Sequence, residues 1–281
     1  ASSTKIVLRG NNSLTGDNQP LIIVDGVPVN NFVGATNNDF WNPSTDMGGG
    51  LGDLNPEDIE SMSVLKSGAA SALYGSRAGN GAIIITTKSG KSQKGTGISF
   101  SSTLGLETLF MVPELQSSFG QGNNGIGDPL TASNWGPAIA GSNQQAYDNI
   151  GNFFKTGVSN TQNISFQKQL GETNIYTSAT YLDDQSKIPG ATFRRINLLS
   201  KVNTTYGPNQ RWMTDVKVQY MNTAAQNRPL SGQNNSNAYA TLFSMPRTLN
   251  ILDYKDAVNQ FGEMLWYTNS NTNNSMNPYW L

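Results

Sequence analysis

A stretch of twelve residues near the start of this sequence combines aromatic rings with amides and one carboxylate. It runs from Asn30 to Trp41. The residues suited to ligand contact are Asn31, Phe32, Asn37, Asn38, Asp39, Phe40 and Trp41. A sugar- or peptide-binding site needs such flat apolar surfaces together with directional hydrogen-bonding groups. The stretch is a candidate ligand-binding loop, and an ordinary loop packed against its neighbours is the alternative.

Catalytic chemistry has little support, because the 281 residues include no Cys and no His. No disulfide framework, no Cys- or His-based zinc site and no catalytic unit with a His base can be built from them. Glu57, Asp58 and Glu60 begin a short helix, where helix-end electrostatics and pairing with Arg or Lys explain them better than acid–base catalysis. We predict that the protein is not an enzyme and uses no metal or cofactor. The net charge of −1 gives no basis for binding nucleic acid.

Residues 1–94 are predicted to form a small α/β module. Leu21 to Val24 is a continuous apolar run closed by Asp25-Gly26, which is typical of a buried strand and a turn. Asn55 can cap a helix that has Pro56 at its first position. Further strands are predicted at Lys5–Leu8, Ser61–Lys66 and Ala82–Thr87, with a helix at Ala69–Tyr74 that ends at Gly75.

After residue 94 the apolar positions recur with period two, which predicts long strands at 96–108, 161–170, 173–182, 193–206 and 211–223. In the clearest of them, Trp212, Val216 and Tyr220 share one face. The two aromatic residues are eight positions apart, which in a tilted strand spans roughly 20 Å of a bilayer. Soluble sandwich strands are the alternative, but they are usually shorter, at about 5–6 residues. The pattern favours an outer-membrane β-barrel.

The connections between these strands alternate between tight turns and long loops, as they do in outer-membrane barrels. The long loops are 109–160 and 224–278, and their Trp135, Trp266 and Tyr267 are candidate contacts for a substrate or partner, with loop-on-loop packing as the alternative. Five cations on or near the polar strand faces are expected to pair with carboxylates of the module. They are Arg194, Arg195, Lys201, Arg211 and Lys217.

Several motifs, in order, resemble the SusC/RagA-type TonB-dependent outer-membrane transporters. In the module they are PLIIVDGVPV at 20–29, DLNPEDIES at 53–61, VLKSGAASALYGSRAGNG at 64–81 and AIIITTK at 82–88. After it they are FFKTG at 153–157, NRP at 227–229 and MNPYW at 276–280. The resemblance covers essentially the whole chain.

The resemblance implies a membrane β-barrel of about 22 antiparallel strands when complete, with an α/β plug domain in its lumen. Residues 1–94 would be the C-terminal portion of the plug, and residues 95–281 the first five or so barrel strands with their extracellular loops. Because an open five-stranded sheet would leave unpaired edges in lipid, we expect a fragment or an incompletely resolved chain. The resemblance also implies a structural or gating role for the residues that match the plug motifs. They are Arg9, Gly10, Asp25, Gly26, Glu57, Asp58, Glu60, Tyr74, Gly75, Arg77 and Gly81.

The function that the resemblance implies is TonB-dependent active import of a large nutrient, an oligosaccharide or a peptide, across the outer membrane. The implied partners are a SusD-like surface lipoprotein acting as a lid, TonB acting through a segment that this chain does not include, and outer-membrane lipid. A surface receptor or adhesin that binds glycans without transport is one alternative, and a secreted β-rich glycosidase is another. The choice between glycan and peptide stays open.

Overall fold

The structure is a computed structural model that describes most of the chain. The described residues are 6–8, 10, 18–29, 51–52, 54–90, 96–228, 237–265, 268–270, 273–275 and 277–279. The seven residues of the candidate ligand-binding loop lie outside this set, as do Arg9, Trp266 and Tyr267.

A mixed four-stranded sheet organises the described residues up to position 90. Its elements are β1 (Leu21–Val24), β2 (Val27–Val29), β3 (Ile59–Leu65), α1 (Ser67–Tyr74) and β4 (Ala82–Thr87), with 3-10 turns at Pro56–Asp58 and Gly75–Ala78. The strand order is β2-β1-β4-β3, in which β1 runs parallel to β4 and the other neighbours are antiparallel. The prediction of a strand at Lys5–Leu8 is wrong for residues 6–8, because Ile6 and Leu8 pack on the module core without joining the sheet.

The continuous apolar run of β1 follows from its central position, which buries both of its faces. Ile22 lies in a cluster with Ile83 and Ile85 on one side of the sheet. Ile23 lies in a second cluster with Ala70 and Ala78, which belong to α1 and the turn after it. Both clusters consist of module residues alone.

The remaining described elements form a large antiparallel sheet and its connections. They are β5 (Thr96–Glu107), β6 (Gly122–Asn123), β7 (Ile126–Gly127), α2 (Asn149–Phe153), β8 (Gly157–Leu170), β9 (Thr173–Gln185), β10 (Thr192–Tyr206), β11 (Trp212–Gln226), α3 (Ala238–Ser244), β12 (Thr268–Ser270) and β13 (Asn273–Ser275), with turns at Pro208–Gln210 and Ile251–Tyr254. The five long strands follow the order β5-β8-β9-β10-β11. All five were predicted, with ends that differ by up to four residues. Within the described residues the sheet does not close, so β5 and β11 are its edges.

The apolar face of the large sheet is the exposed one. Ile98 is 72% exposed, Leu104 is 67% exposed and Val218 is 64% exposed. Trp212, Val216 and Tyr220, whose inward burial would have contradicted a barrel, are 64%, 51% and 57% exposed.

The opposite, polar face is buried on the central strands, most completely on β10, where the module lies against it, and it is largely open on the edge strands β5 and β11. Asn197 and Lys201 of β10 are only 2% and 4% exposed. A water-soluble sheet buries its apolar face, so this inverted arrangement is typical of a strand wall with hydrocarbon outside and a polar lumen inside.

The long connections pack on one another at one end of the large sheet. Their core contains Ile150 and Phe153 of α2, Ile188 of the β9–β10 connection, and Leu242 and Met245 at α3. At the opposite end, strands are joined by tight turns at 171–172 and 207–211. No helix in the described part of the chain is long and apolar enough to span a membrane.

Candidate functional site

The most distinctive polar site lies where the module meets the large sheet, and Asp25 is at its centre. Asp25 follows β1, and Thr87 ends β4. Because β1 and β4 run parallel, their carboxyl ends meet at the same edge of the sheet. The Asp25 carboxylate accepts hydrogen bonds from the Thr87 backbone N–H (2.9 Å) and from Thr87 Oγ1 (2.7 Å). The carboxylate is therefore held in a fixed orientation by the module itself.

Two lysines of the large sheet converge on this carboxylate. Lys201 Nζ of β10 lies 3.0 Å from Asp25 Oδ1, and Lys217 Nζ of β11 lies 2.8 Å from Asp25 Oδ2. Lys201 Nζ also donates to Thr87 Oγ1 at 3.2 Å. We call Asp25, Thr87, Lys201 and Lys217 the Asp25 cluster.

The register of the sheet explains why this carboxylate matters. Lys201 and Lys217 are directly opposite each other in the β10–β11 pair, and like charges in that position repel. The Lys201 side chain is 5% exposed, so water does little to screen its charge. Asp25 supplies the anion that lies between them, while Asp215 approaches Lys201 only to 4.0 Å.

The protonation of Asp25 follows from the same contacts. Burial alone raises the pKa of the carboxyl group, but the hydrogen bonds from Lys217, Thr87 and Lys201 outweigh it and hold the pKa well below its ordinary value of 3.8. Asp25 is therefore ionised across the physiological pH range.

A second polar cluster surrounds Asp58 and has no cation in it. The 3-10 turn begins at Asn55, whose Oδ1 accepts a hydrogen bond from the Glu57 N–H. Asn55 Nδ2 donates to Asp58 Oδ2 at 3.0 Å. From the large sheet, Tyr176 Oη donates to Asp58 Oδ1 at 2.9 Å, and Asn197 Nδ2 lies 3.4 Å from Asp58 Oδ2. The expectation that Arg or Lys would pair with Asp58 is wrong, because uncharged donors occupy both of its oxygens.

Neighbouring residues extend this Asp58 cluster along the wall. Asn55 Nδ2 donates to Thr180 Oγ1 at 2.7 Å, and Asn163 Nδ2 donates to the same oxygen at 2.6 Å. The Arg195 guanidinium donates to the Gly52 carbonyl of the module. These contacts join three neighbouring strands, β8, β9 and β10, to the segment around the 3-10 turn.

The backbones of the module and the large sheet come close together at Gly90, the last described residue of the module. Gly90 has φ +75°, and a Cβ placed on it would lie 2.5 Å from the Ile175 carbonyl oxygen of β9. Only glycine fits here, because a side chain would collide with the backbone of the wall.

The other motif residues lie away from the contacts with the sheet. Gly26 completes the turn after Asp25, with φ +84°. Tyr74 packs partly on the module core, and Gly75 ends α1 with φ +71°. Gly81 has φ +97°, and a Cβ on it would lie 2.8 Å from the Leu65 carbonyl oxygen. Gly10 also has positive φ, whereas Glu60 and Arg77 are exposed.

Two of the five cations that were expected to pair with the module do not reach it. Arg194 points to the opposite face from Arg195 and pairs with Asp183 of β9 at 2.7 Å. Arg211 lies exposed at the tight turn before β11. Tyr176 and Thr180 were not predicted as site residues, and Asn55 was predicted only as a helix cap, which the structure confirms. Tyr176 is the one aromatic residue on the polar face of β9, which was a usable signal.

The side-chain contacts described above between the module and the large sheet are polar. Neither apolar cluster of the module includes a side chain from the large sheet. Hydrogen bonds and ion pairs can exchange with water, so the surfaces can separate without exposing a dry core. Among the described residues, no group of three or more Asp or Glu side chains is arranged to hold a metal ion.

Comparison with known proteins agrees with this architecture. Residues 1–82 match the family described as TonB-dependent Receptor Plug Domain. The chain is 32% identical over 194 residues to the TonB-dependent receptor SusC of Bacteroides thetaiotaomicron, covering 68% of this chain and 18% of that receptor. It is 30% identical over 205 residues to the TonB-dependent receptor P39 of Formosa agariphila, covering 71% of this chain and 18% of that receptor.

Solved structures share the fold. The RagAB peptide transporter matches with a TM-score of 0.58 and 22% identity, covering 98% of this chain and 32% of that one. The RagAB peptide importer in its closed-closed state matches with a TM-score of 0.57 and 23% identity, covering 97% and 31%. The chain thus spans about a fifth of the length of the curated relatives it matches. With its plug-family segment, its receptor relatives and its inverted sheet, the chain belongs to the SusC/RagA-type TonB-dependent transporters.

Proposed function

We propose that the protein containing this chain actively imports a large nutrient, an oligosaccharide or a peptide, across the outer membrane. The described module would be part of the plug, and the large sheet part of the wall of a multi-pass barrel of about 22 strands. The long connections would face the cell exterior, and the tight turns the periplasm. The observation that carries the proposal is the inversion of the sheet, apolar outside and polar against the plug.

The proposed mechanism is gating. The Asp25 and Asp58 clusters hold the plug against the wall through polar contacts, so the lumen is closed at rest. Force delivered by TonB from the periplasm would break these contacts without exposing apolar surface. Local opening of the plug would then cost less free energy than unfolding the barrel.

A SusD-like lipoprotein is the proposed partner at the loop end, where it would act as a lid. The basis is the likeness to SusC and to RagAB. RagAB is named as a peptide importer, but that match is one of fold, so glycan and peptide both remain candidates for this protein.

Uptake by cells tests the proposal. Cells carrying the intact gene would be given a fluorescent peptide pool and a fluorescent oligosaccharide mixture, with TonB present or deleted. We expect internal label from one of the two probes, lost on deletion of TonB. Label that binds the surface equally with and without TonB, and never enters, would indicate a receptor or adhesin and would contradict import.

A further inference from the structure

A cleft of about 560 Å³ lies among the connections at the loop end of the large sheet. One side is the segment 108–117 after β5, and the other is the segment 146–156 around α2. Its apolar lining includes Leu109, Val112, Leu115, Ile150 and Phe154. Its size is within the range of small-molecule sites, about 300–1,000 Å³.

Arg247 also lines this cleft, although it is only 6% exposed. A guanidinium carries five N–H donors. In the described part of the chain, the Arg247 guanidinium makes one hydrogen bond, from Nη2 to the Met245 carbonyl at 2.8 Å, and no ion pair within 4.0 Å. A buried cation with so few partners is costly unless an anion joins it.

The carboxylate of Asp148 does not fill that role. It lines the cleft and attracts Arg247 electrostatically, but its Oδ1 accepts a hydrogen bond from the Gly151 N–H at 2.9 Å, at the start of α2. Burial lowers the pKa of the Arg247 guanidinium, and Asp148 offsets this only in part. Lys155, which is exposed, adds a second cation to the lining.

We propose that this cleft binds the carboxylate group of a small ligand, with Arg247 donating to the carboxylate and the apolar lining covering the group beside it. An Arg fork matches the two oxygens of a carboxylate better than any other side chain. The C-terminus of a peptide and a uronic acid both offer this group. The proposal rests on the proposed import function for its biological role, whereas binding itself requires neither TonB nor transport.

The test is equilibrium binding to the whole transporter in detergent, measured by fluorescence anisotropy. One arm compares a labelled tetrapeptide that has a free C-terminal carboxylate with its C-terminal amide. The other compares a labelled oligogalacturonate with its methyl ester. We expect at least one carboxylate probe to bind ten times more tightly than its neutral counterpart, or better. Equal binding of the charged and neutral forms in both arms would overturn the proposal.

Variants locate the site. Arg247→Gln should weaken binding of the carboxylate probe at least tenfold, and Lys155→Gln should weaken it two- to threefold. The matched control is Lys255→Gln, on an exposed lysine outside the cleft, which should leave binding unchanged. Wild-type affinity in a folded Arg247→Gln protein would refute the assignment. If that variant does not fold, Lys155→Gln decides, and no weakening there would refute it. If the wild-type transporter binds the carboxylate probe but cells with TonB present take up no label, that result would count against import and not against the cleft.

Discussion

Lys217 Nζ on β11 lies 2.8 Å from Asp25 Oδ2, although the two residues are 192 positions apart in the sequence. The contact joins the turn after β1 to β11, an edge strand of the described sheet. Through Lys201, the same carboxylate also holds the neighbouring strand β10. The Asp25 cluster is therefore the strongest electrostatic link between plug and wall in the described residues.

Asp25→Asn should loosen the plug. The variant keeps the size of the side chain but removes the anion between two opposed lysines, one of which is buried. Removing one partner of a buried ion pair costs about 3–5 kcal/mol. We expect faster hydrogen–deuterium exchange of the β1 and β4 amides in the whole transporter. Glu60→Gln, the same change on an exposed carboxylate, is the control. Equal exchange in the two variants would contradict the prediction.

Acid should loosen the plug in the same way. Because the pKa of Asp25 is held below its ordinary value of 3.8, its stabilising contribution is complete above that pH and is lost as the pH falls below it. Below pH 3.8 the free energy of unfolding falls by at most about 1.4 kcal/mol per pH unit through this one group. Urea unfolding would measure the free energy of unfolding of the wild type and of Asp25→Asn at pH 5 and at pH 3. We expect the difference between the two proteins to be smaller at pH 3 than at pH 5. If that difference is the same at both pH values, Asp25 is not the source of the loss of stability in acid.

Tyr176→Phe should destabilise the second cluster. The change removes the hydroxyl that donates to Asp58 Oδ1, and both residues are buried. A hydrogen bond to a charged group contributes about 1.5–3 kcal/mol. Urea unfolding should report a loss of that size. Tyr181→Phe, on the exposed face of the same strand, serves as the control and should have little effect. A similar loss in both would point to a general effect of removing a hydroxyl from β9.

Val216→Arg should impair insertion into a membrane. Val216 lies on the outer face, midway between Trp212 and Tyr220. An Arg facing lipid at the bilayer midplane costs about 2–4 kcal/mol, falling to about 0–1 near the interface. Folding into lipid vesicles under a denaturant gradient would measure this cost. Ala224→Arg, on the same face near the loop end of β11, should be tolerated. Equal effects at the two positions would argue against a bilayer around this face.

The strands of the wall were predictable from sequence because a period of two reflects a physical asymmetry. In β11 the alternation of Trp212, Val216 and Tyr220 with polar residues gives both the strand and the apolar face that the structure leaves exposed. The buried strand β1 was predictable for a related reason, since its apolar run is continuous. The short strand expected at residues 5–8 was wrong for residues 6–8, because Ile6 and Leu8 pack on the module core without hydrogen bonding to the sheet.

Lys201 and Lys217 were expected to pair with carboxylates of the module, and both pair with Asp25, but which carboxylate they would meet was not predictable from sequence. Nothing local to Asp25 selects Lys201 and Lys217, since their meeting depends on the register of β10 and β11 and on where the plug lies. The expectation for Asp58 failed because charge alone suggested a cation, while the wall offers it Tyr176 and Asn197. Contacts that depend on tertiary placement leave only weak signals in a single sequence.

Under the proposed import function, the facing pair Lys201 and Lys217 has a consequence for how the plug returns to its place. If the plug is drawn away, Asp25 leaves and two neighbouring ammonium groups are bared to the channel, where they repel each other and attract any passing anion. The two ammonium groups would then attract the Asp25 carboxylate. This attraction would favour the return of the plug to its resting position once the force ends.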